Sequence, residues 1–331
     1  AVRRYTHSEE ALTQYTSDLA QAGRRKDRDA QLAALNNMGL TWLARGMPEN
    51  ASVYFRRMLA LAQSERDEPW RARALNNLGA GALEQGNLKG AVNYLETALT
   101  VNQGLEPRSA QRRIAQVEGN LGLAWRRLDD PRKARDYTER SLQANLQLAE
   151  GRDSAAVARN FESLGNLESD PAAAELQHRR ALQMRERLFG DSSNPELASS
   201  YLNLGVLATR ANDDRGAADY YSRAVALREK LFAQQNHAHL AEALSRHGAA
   251  LCRSGDNAAG LAQNERALSM RQTLSKKPVD AAVVESYKQI AACWAIAAGK
   301  GQSGAKEKMM ETLQRLKAYE ASGAPKSRGA Y

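Results

Sequence analysis

Residues 72–103 read ARALNNLGAGALEQGNLKGAVNYLETALTVNQ, and weaker copies of this stretch recur on both sides of it. Apolar residues fall at helical spacing on either side of Gln85-Gly86-Asn87, so the stretch predicts two amphipathic helices joined by a tight turn. Gly79, Ala91 and Ala98 place small side chains where the two helices must come close. A unit of this kind buries its faces against neighbouring copies rather than around one central core.

Working outward, the copy before it starts near Leu32 with ALNNMG, Trp42 and Gly46, followed by Ala51, Phe55 and Met58. The copy after it starts near Ala115 with EGNLGLAW, a turn at Asp129-Asp130-Pro131 and then Ala134. A fourth, from about Ala155, has Glu162 where the others have glycine but keeps Asn160, Ala174 and Ala181. The fifth (YLNLGVLA, Ala217, Tyr221, Ala224) and sixth (SRHGAALCRSGDN, Gly260, Ala267) are clear. These readings make 1–31 an N-terminal cap with a helix from about Ser8 to Ala22 and a turn over Gly23–Asp27. Six repeats fill 32–283, and a degenerate seventh with a capping helix fills 284–320. Residues 321–331, rich in Gly, Pro, Ser and Lys/Arg, read as a disordered tail.

Composition agrees with this reading. At 331 residues the chain exceeds one ordinary globular core, and only 6% of it is aromatic. Ala, Leu, Arg, Gln and Glu abound without the alternating runs of a sheet, which predicts an all-α chain. The expected architecture is a right-handed α-solenoid, a superhelix of about seven helix-turn-helix units. The longest wholly apolar run, Ile290–Ala298, is far short of the roughly 18 residues that span a bilayer, so a soluble chain is expected. Cytoplasm is the first expectation for it, with export the alternative if a leader once preceded Ala1. Cys252 and Cys293 read as small core fillers in helices rather than a disulfide framework.

The Leu-Gly and paired-alanine columns resemble the tetratricopeptide repeat family. Met38-Gly39 with Trp42, Leu78-Gly79, Leu121-Gly122 with Trp125, and Leu204-Gly205 match the first helix of that repeat. Ala91 with Ala98, Ala174 with Ala181, and Ala217 with Ala224 match the second. Equivalent asparagines stand 40 or 43 residues apart rather than 34, which with DSSNPELASSYLNLG and AVALREKLF is similar to the long repeat of kinesin light chains. The resemblance implies a protein-protein interaction scaffold or adaptor whose first helices line a concave, peptide-binding face.

Asn37, Asn77, Asn120, Asn160 and Asn203 share one column of the first helix, although only about one residue in twenty is asparagine. Asparagine is disfavoured inside helices, so its recurrence calls for a compensating interaction. An amide both donates and accepts, and a ladder of amides fits the backbone of an extended guest, as the resemblance to kinesin light chains and the O-GlcNAc transferase superhelix implies. The alternative is that each Asn bonds to a neighbouring helix or turn. Read as exposed positions, Asn77, Asn120 and Asn160 should tolerate alanine within a few tenths of a kcal/mol. Arg73, Arg126, Arg127, Arg159, Arg210, Arg246 and Arg253 lie on the same helices, and guanidinium forks on that face would select an acidic guest. Arg246 and Gln289 replace asparagine in repeats six and seven, so the C-terminal third departs from the ladder.

The net charge of +9 draws acidic partners in general and also admits a regulatory module that senses a signal or touches nucleic acid. Interleaved acidic residues and the lack of a helix-turn-helix disfavour nucleic acid. His237, His239, His247 and Cys252 lack any standard zinc spacing, and no phosphate loop, nucleophile elbow or spaced carboxylate pair points to catalysis. The expectation is a non-enzymatic chain with no cofactor and no metal.

Overall fold

The computed structural model describes residues 9–190, 192–232 and 235–322, and among these it holds fifteen helices and no strand. The chain divides into two compact units, 1–170 and 171–331. Unit one contains α1 (Glu9–Arg25), α2 (Arg28–Ala44), α3 (Pro48–Ser64), α4 (Glu68–Glu84), α5 (Leu88–Gln103), α6 (Pro107–Arg127), α7 (Pro131–Ala149) and α8 (Ala155–Gly165). Unit two contains α9 (Pro171–Phe189), α10 (Pro195–Arg210), α11 (Asp214–Phe232), α12 (Ala238–Ser254), α13 (Asn257–Leu274), α14 (Ala281–Gly299) and α15 (Ala305–Ser322). Within each unit every helix packs on the next in sequence, and first helices of adjacent hairpins also touch: α2 with α4, α4 with α6, α6 with α8, and α12 with α14. Each unit is thus an α-solenoid of stacked hairpins.

The hairpin turns follow from local chemistry. After α4, Gly86 adopts φ +75° and donates its N–H to the Leu83 carbonyl, while the Asn87 N–H reaches back to the Ala82 carbonyl. This pair of bonds satisfies carbonyls that a helix end leaves unpaired. The same two bonds end α2, α6, α10 and α12, with Gly46, Asp129, Asn212 and Gly255 in the left-handed position. The residue that follows caps the second helix: the side chains of Asn87, Asp130 and Asp256 accept from the backbone N–H three residues on.

Hairpins close by a knob that recurs sixteen residues after the glycine column. A Cβ added to Gly79 would lie 2.5 Å from Leu95 Cγ, and one on Gly205 would lie 2.5 Å from Tyr221 Cε1. Gly39 faces Phe55, Gly122 faces Thr138 and Gly248 faces Asn264 in the same way. All five knobs are nearly or fully buried. The unit boundary falls inside the fourth hairpin, where α8 has only 11 residues and Glu162 takes the glycine position.

Three sequence expectations need correction. Cys252 and Cys293 do not act as separate fillers: they form a disulfide joining α12 to α14, with Cα atoms 5.4 Å apart. The N-terminal turn does not start at Gly23, because α1 continues to Arg25 and closes on a left-handed Lys26. Ala321 and Ser322 belong to the last turn of α15, and the rest of the expected tail lies outside the described residues.

Candidate functional site

In unit one, α6, α7 and α8 enclose a cleft of about 400 Å³. Arg112, Gln116, Gly119, Asn120 and Leu123 reach it from α6, Ser141 and Asn145 from α7, and Ala156, Arg159, Asn160 and Ser163 from α8. The column expected from sequence therefore meets this cleft at Asn120 and Asn160, with Arg159 beside them. A fixed relay forms its floor. Asn160 Nδ2 donates to Ser141 Oγ at 2.9 Å, Ser141 donates to the Ala115 carbonyl at 2.7 Å, and Asn145 Nδ2 donates to Asn160 Oδ1 at 2.8 Å.

The asparagine column is also a seam between repeats. Asn77 Nδ2 donates to Asn36 Oδ1 at 2.8 Å, and Asn120 Nδ2 donates to Asn76 Oδ1 at 2.9 Å. Asn36 in turn donates to Asn37 at 3.3 Å. Asn77 and Asn160 are buried, 7% and 5% exposed, which corrects the expectation of exposed positions. For Asn77 the reason is the double column, in which Asn36 offers an acceptor from the preceding repeat, and for Asn160 it is the pair Ser141 and Asn145 of α7. Asn37 lines a separate groove between α1 and α2, and Asn203 is half-buried on α10.

The arginines separate into several environments. Arg73 lies over the Trp70 ring, with its guanidinium carbon 4.5 Å from the centroid. Trp70 sits in the first turn of α4 and packs on the Leu32–Leu35–Met58 cluster. Arg127 Nη1 donates to the Leu83 carbonyl at 2.7 Å, tying α6 to the end of α4. Burial holds the Arg126 guanidinium below its usual value, Arg127 adds to this, and Glu162 opposes it. Burial likewise lowers Arg113, with the nearby charge of Arg73 adding to it.

In unit two a second cleft of about 280 Å³ is lined by Thr209, Tyr221, Glu242, Ser245, Arg246, Ala249, Arg253, Arg271, Glu285 and Gln289. Here the guanidiniums are already engaged. Arg246 Nη2 lies 3.2 Å from Glu242 Oε1, Arg253 Nε lies 2.5 Å from Asp214 Oδ1, and Arg271 Nη1 donates to Ser286 Oγ at 2.7 Å. Arg210 is exposed in the last turn of α10. His237 caps α12 by accepting the His239 N–H at its Nδ1, and it stacks on Phe232 at 3.7 Å between ring centroids. Among the described residues no group of three or more His, Cys, Asp or Glu is placed to hold a metal.

Family models of the tetratricopeptide repeat match residues 30–103 and 197–239. The matched segments are tetratricopeptide repeats. No curated protein matches its sequence. Among solved structures, BtubC (BKLC) from P. vanneervenii is similar at 23% identity and TM-score 0.55, over 67% of this chain and 91% of that one. Aspartyl phosphate phosphatase F from Bacillus subtilis is similar at 13% identity and TM-score 0.58, over 95% and 78%. A Rap protein complexed with Competence and Sporulation Factor is similar at 12% identity and TM-score 0.54, over 95% of both chains. These likenesses show the fold. Tetratricopeptide repeats make protein-interaction scaffolds, and that is the coarse function this architecture carries. No described helix is long and apolar enough to cross a membrane.

Along the second helices a polar column escaped the sequence reading. Asn102, Asn145, Arg185, Arg228 and Arg271 stand 43, 40, 43 and 43 residues apart on the second helices. In unit one, Asn102 Oδ1 accepts from Arg113 Nε at 2.8 Å, and Asn145 bonds Asn160. In unit two, Arg185 donates to Ser200, Arg228 to the His239 carbonyl, and Arg271 to the Ala282 carbonyl and Ser286. Each reaches from one repeat to the first helix of the next. The signal was present as three arginines at an even 43-residue spacing, inside segments where a charge reads as a solvated face.

Proposed function

We propose that this protein is a non-enzymatic scaffold that holds an extended, acidic segment of a partner protein, with unit one supplying the principal groove. One observation supports the reading: the cleft of α6, α7 and α8 is lined by Gln116, Asn120 and Asn160 together with Arg112 and Arg159. Amides there pair with a guest backbone whatever its side chains, and the guanidiniums select carboxylates. In this proposal Asn37 in its own groove and Asn203 within unit two offer further contacts, Asn77 holds neighbouring repeats together, and Arg73, Arg126 and Arg127 draw the acidic guest by charge. In unit two, Arg246 and Arg253 accept an acidic guest by exchanging their present carboxylate partners for it.

Selection of an unstructured peptide library on the intact protein tests the proposal. The expected result is enrichment of acidic, extended sequences whose affinity falls at least tenfold in the Arg112→Glu, Arg159→Glu double variant and weakens with added salt. Peptides of no consistent charge, or binding that the double variant leaves unchanged, would overturn it.

A further inference from the structure

The disulfide of unit two is accompanied by a matching change elsewhere in the sequence. Position 51 and its equivalents 91, 134, 174 and 217 are all alanine, each nearly or fully buried where the second helix meets the first. The sixth repeat alone has glycine there, Gly260. A Cβ on Gly260 would run into Cys252 Sγ and would lie 2.7 Å from the Gly248 carbonyl oxygen. Cys252 and Cys293 are each 1% exposed, and their 5.4 Å Cα separation is ordinary for a disulfide. The alanine column is thus broken in the one repeat where the second helix closes on both the backbone and the cysteine sulfur of the first.

We propose that Cys252–Cys293 is a standing disulfide, acquired in an oxidising compartment, that clamps α12 to α14. The clamp fixes the spacing of the two helices whose groove faces carry Glu242, Arg246 and Arg253 on one side and Glu285 and Gln289 on the other. Forming it joins two thiols into one S–S bond with loss of two protons and two electrons. The electron acceptor is a second disulfide, either glutathione disulfide or an oxidised Cys-X-X-Cys protein, which leaves as two thiols. Bonds of this kind form and persist where the surroundings are oxidising, which assigns the protein to an exported or organellar setting rather than a reducing cytosol.

The test uses the full chain, produced once in a reducing cytoplasm and once by export, with thiols trapped by maleimide under denaturing conditions. Exported protein should take up no maleimide until reduced and should weigh two hydrogens less than the dithiol form. Cytoplasmic protein should take up two maleimides. Reduction, or the Cys252→Ala, Cys293→Ala double variant, should lower the melting transition of unit two by roughly 10 °C and quicken hydrogen exchange in α12 and α14, while α4 and α6 keep their rates. Two reactive thiols in the exported protein would overturn the bond. A bond already complete in the cytoplasmic protein would overturn the compartment, and unchanged exchange in α12 and α14 after reduction would overturn the clamp.

Discussion

Asn77 donates its side-chain amide to Asn36 Oδ1 at 2.8 Å across 41 residues of sequence, joining the first helices of two successive repeats. Since Asn77 is buried, the bond forms away from bulk water, and alanine at position 77 strips Asn36 of a partner. The expected cost is about 1–2 kcal/mol rather than the few tenths of an exposed change. Urea unfolding of N36A, N77A and the double variant measures it. A coupling energy of about 0.5–1.5 kcal/mol between the two sites is the expected result, and strict additivity would show that the bond contributes nothing.

The glycine column sets a second expectation. A Cβ at position 79 meets Leu95 Cγ and, at 3.4 Å, the Ala91 carbonyl oxygen, so Gly79→Ala must push α5 away from α4. Overpacking of this sort costs about 1–3 kcal/mol. Leu95→Ala alone opens a cavity costing about 2–5 kcal/mol, because Leu95 is fully buried. Combined, the two substitutions should cost clearly less than their sum. Equal or greater loss in the double variant would mean that the knob and its glycine are not the closing contact.

How far the fold was legible depended on whether a position is read by size or by partner. Gly39, Gly79, Gly122 and Gly205 declare close approach by themselves, because only a missing side chain lets Phe55, Leu95, Thr138 and Tyr221 seat. The asparagine column was equally visible, yet its orientation was not, since the acceptors of Asn36 and Asn76 belong to adjacent repeats and no local pattern aims an amide. Arg185 and Arg228 went unread for a similar reason. A charge on a helix is ordinarily solvated, and here the next hairpin supplies a carbonyl, a hydroxyl or a carboxylate that allows burial. The cysteines were legible only in combination with Gly260.

Arg228 gives a third prediction. Its guanidinium donates to the His239 carbonyl and lies 3.6 Å from Glu242 Oε2, and burial holds it below the usual arginine value while Glu242 opposes that shift. Arg228→Ala leaves the carbonyl without this donor and removes a buried stem, for an expected loss of about 2–4 kcal/mol. Arg228→Met keeps the stem and should recover roughly half of that. Native-state hydrogen exchange would place the loss at the junction of α11 and α12. A uniform loosening across both units, with no focus there, would contradict the proposed inter-repeat tie.

The last prediction concerns acid. His237 accepts the His239 N–H at 3.1 Å, which requires a neutral Nδ1, and burial followed by the charges of His239 and Arg228 holds its pKa below the usual histidine value. Burial alone lowers His247 in the same direction. With folded values depressed, the unfolded chain binds more protons as pH falls through about 6.5, the ordinary value. Stability contributed by the two neutral rings is therefore complete above that pH. It declines as pH falls towards the folded values, and no further loss from these groups occurs below them. His237→Asn retains a capping acceptor that does not titrate, so the variant should lose stability less steeply between pH 6.5 and the acid limit than wild type does. Thermal melts at stepped pH decide the matter: identical acid slopes in wild type, H237N and H247Q would remove both histidines from the explanation.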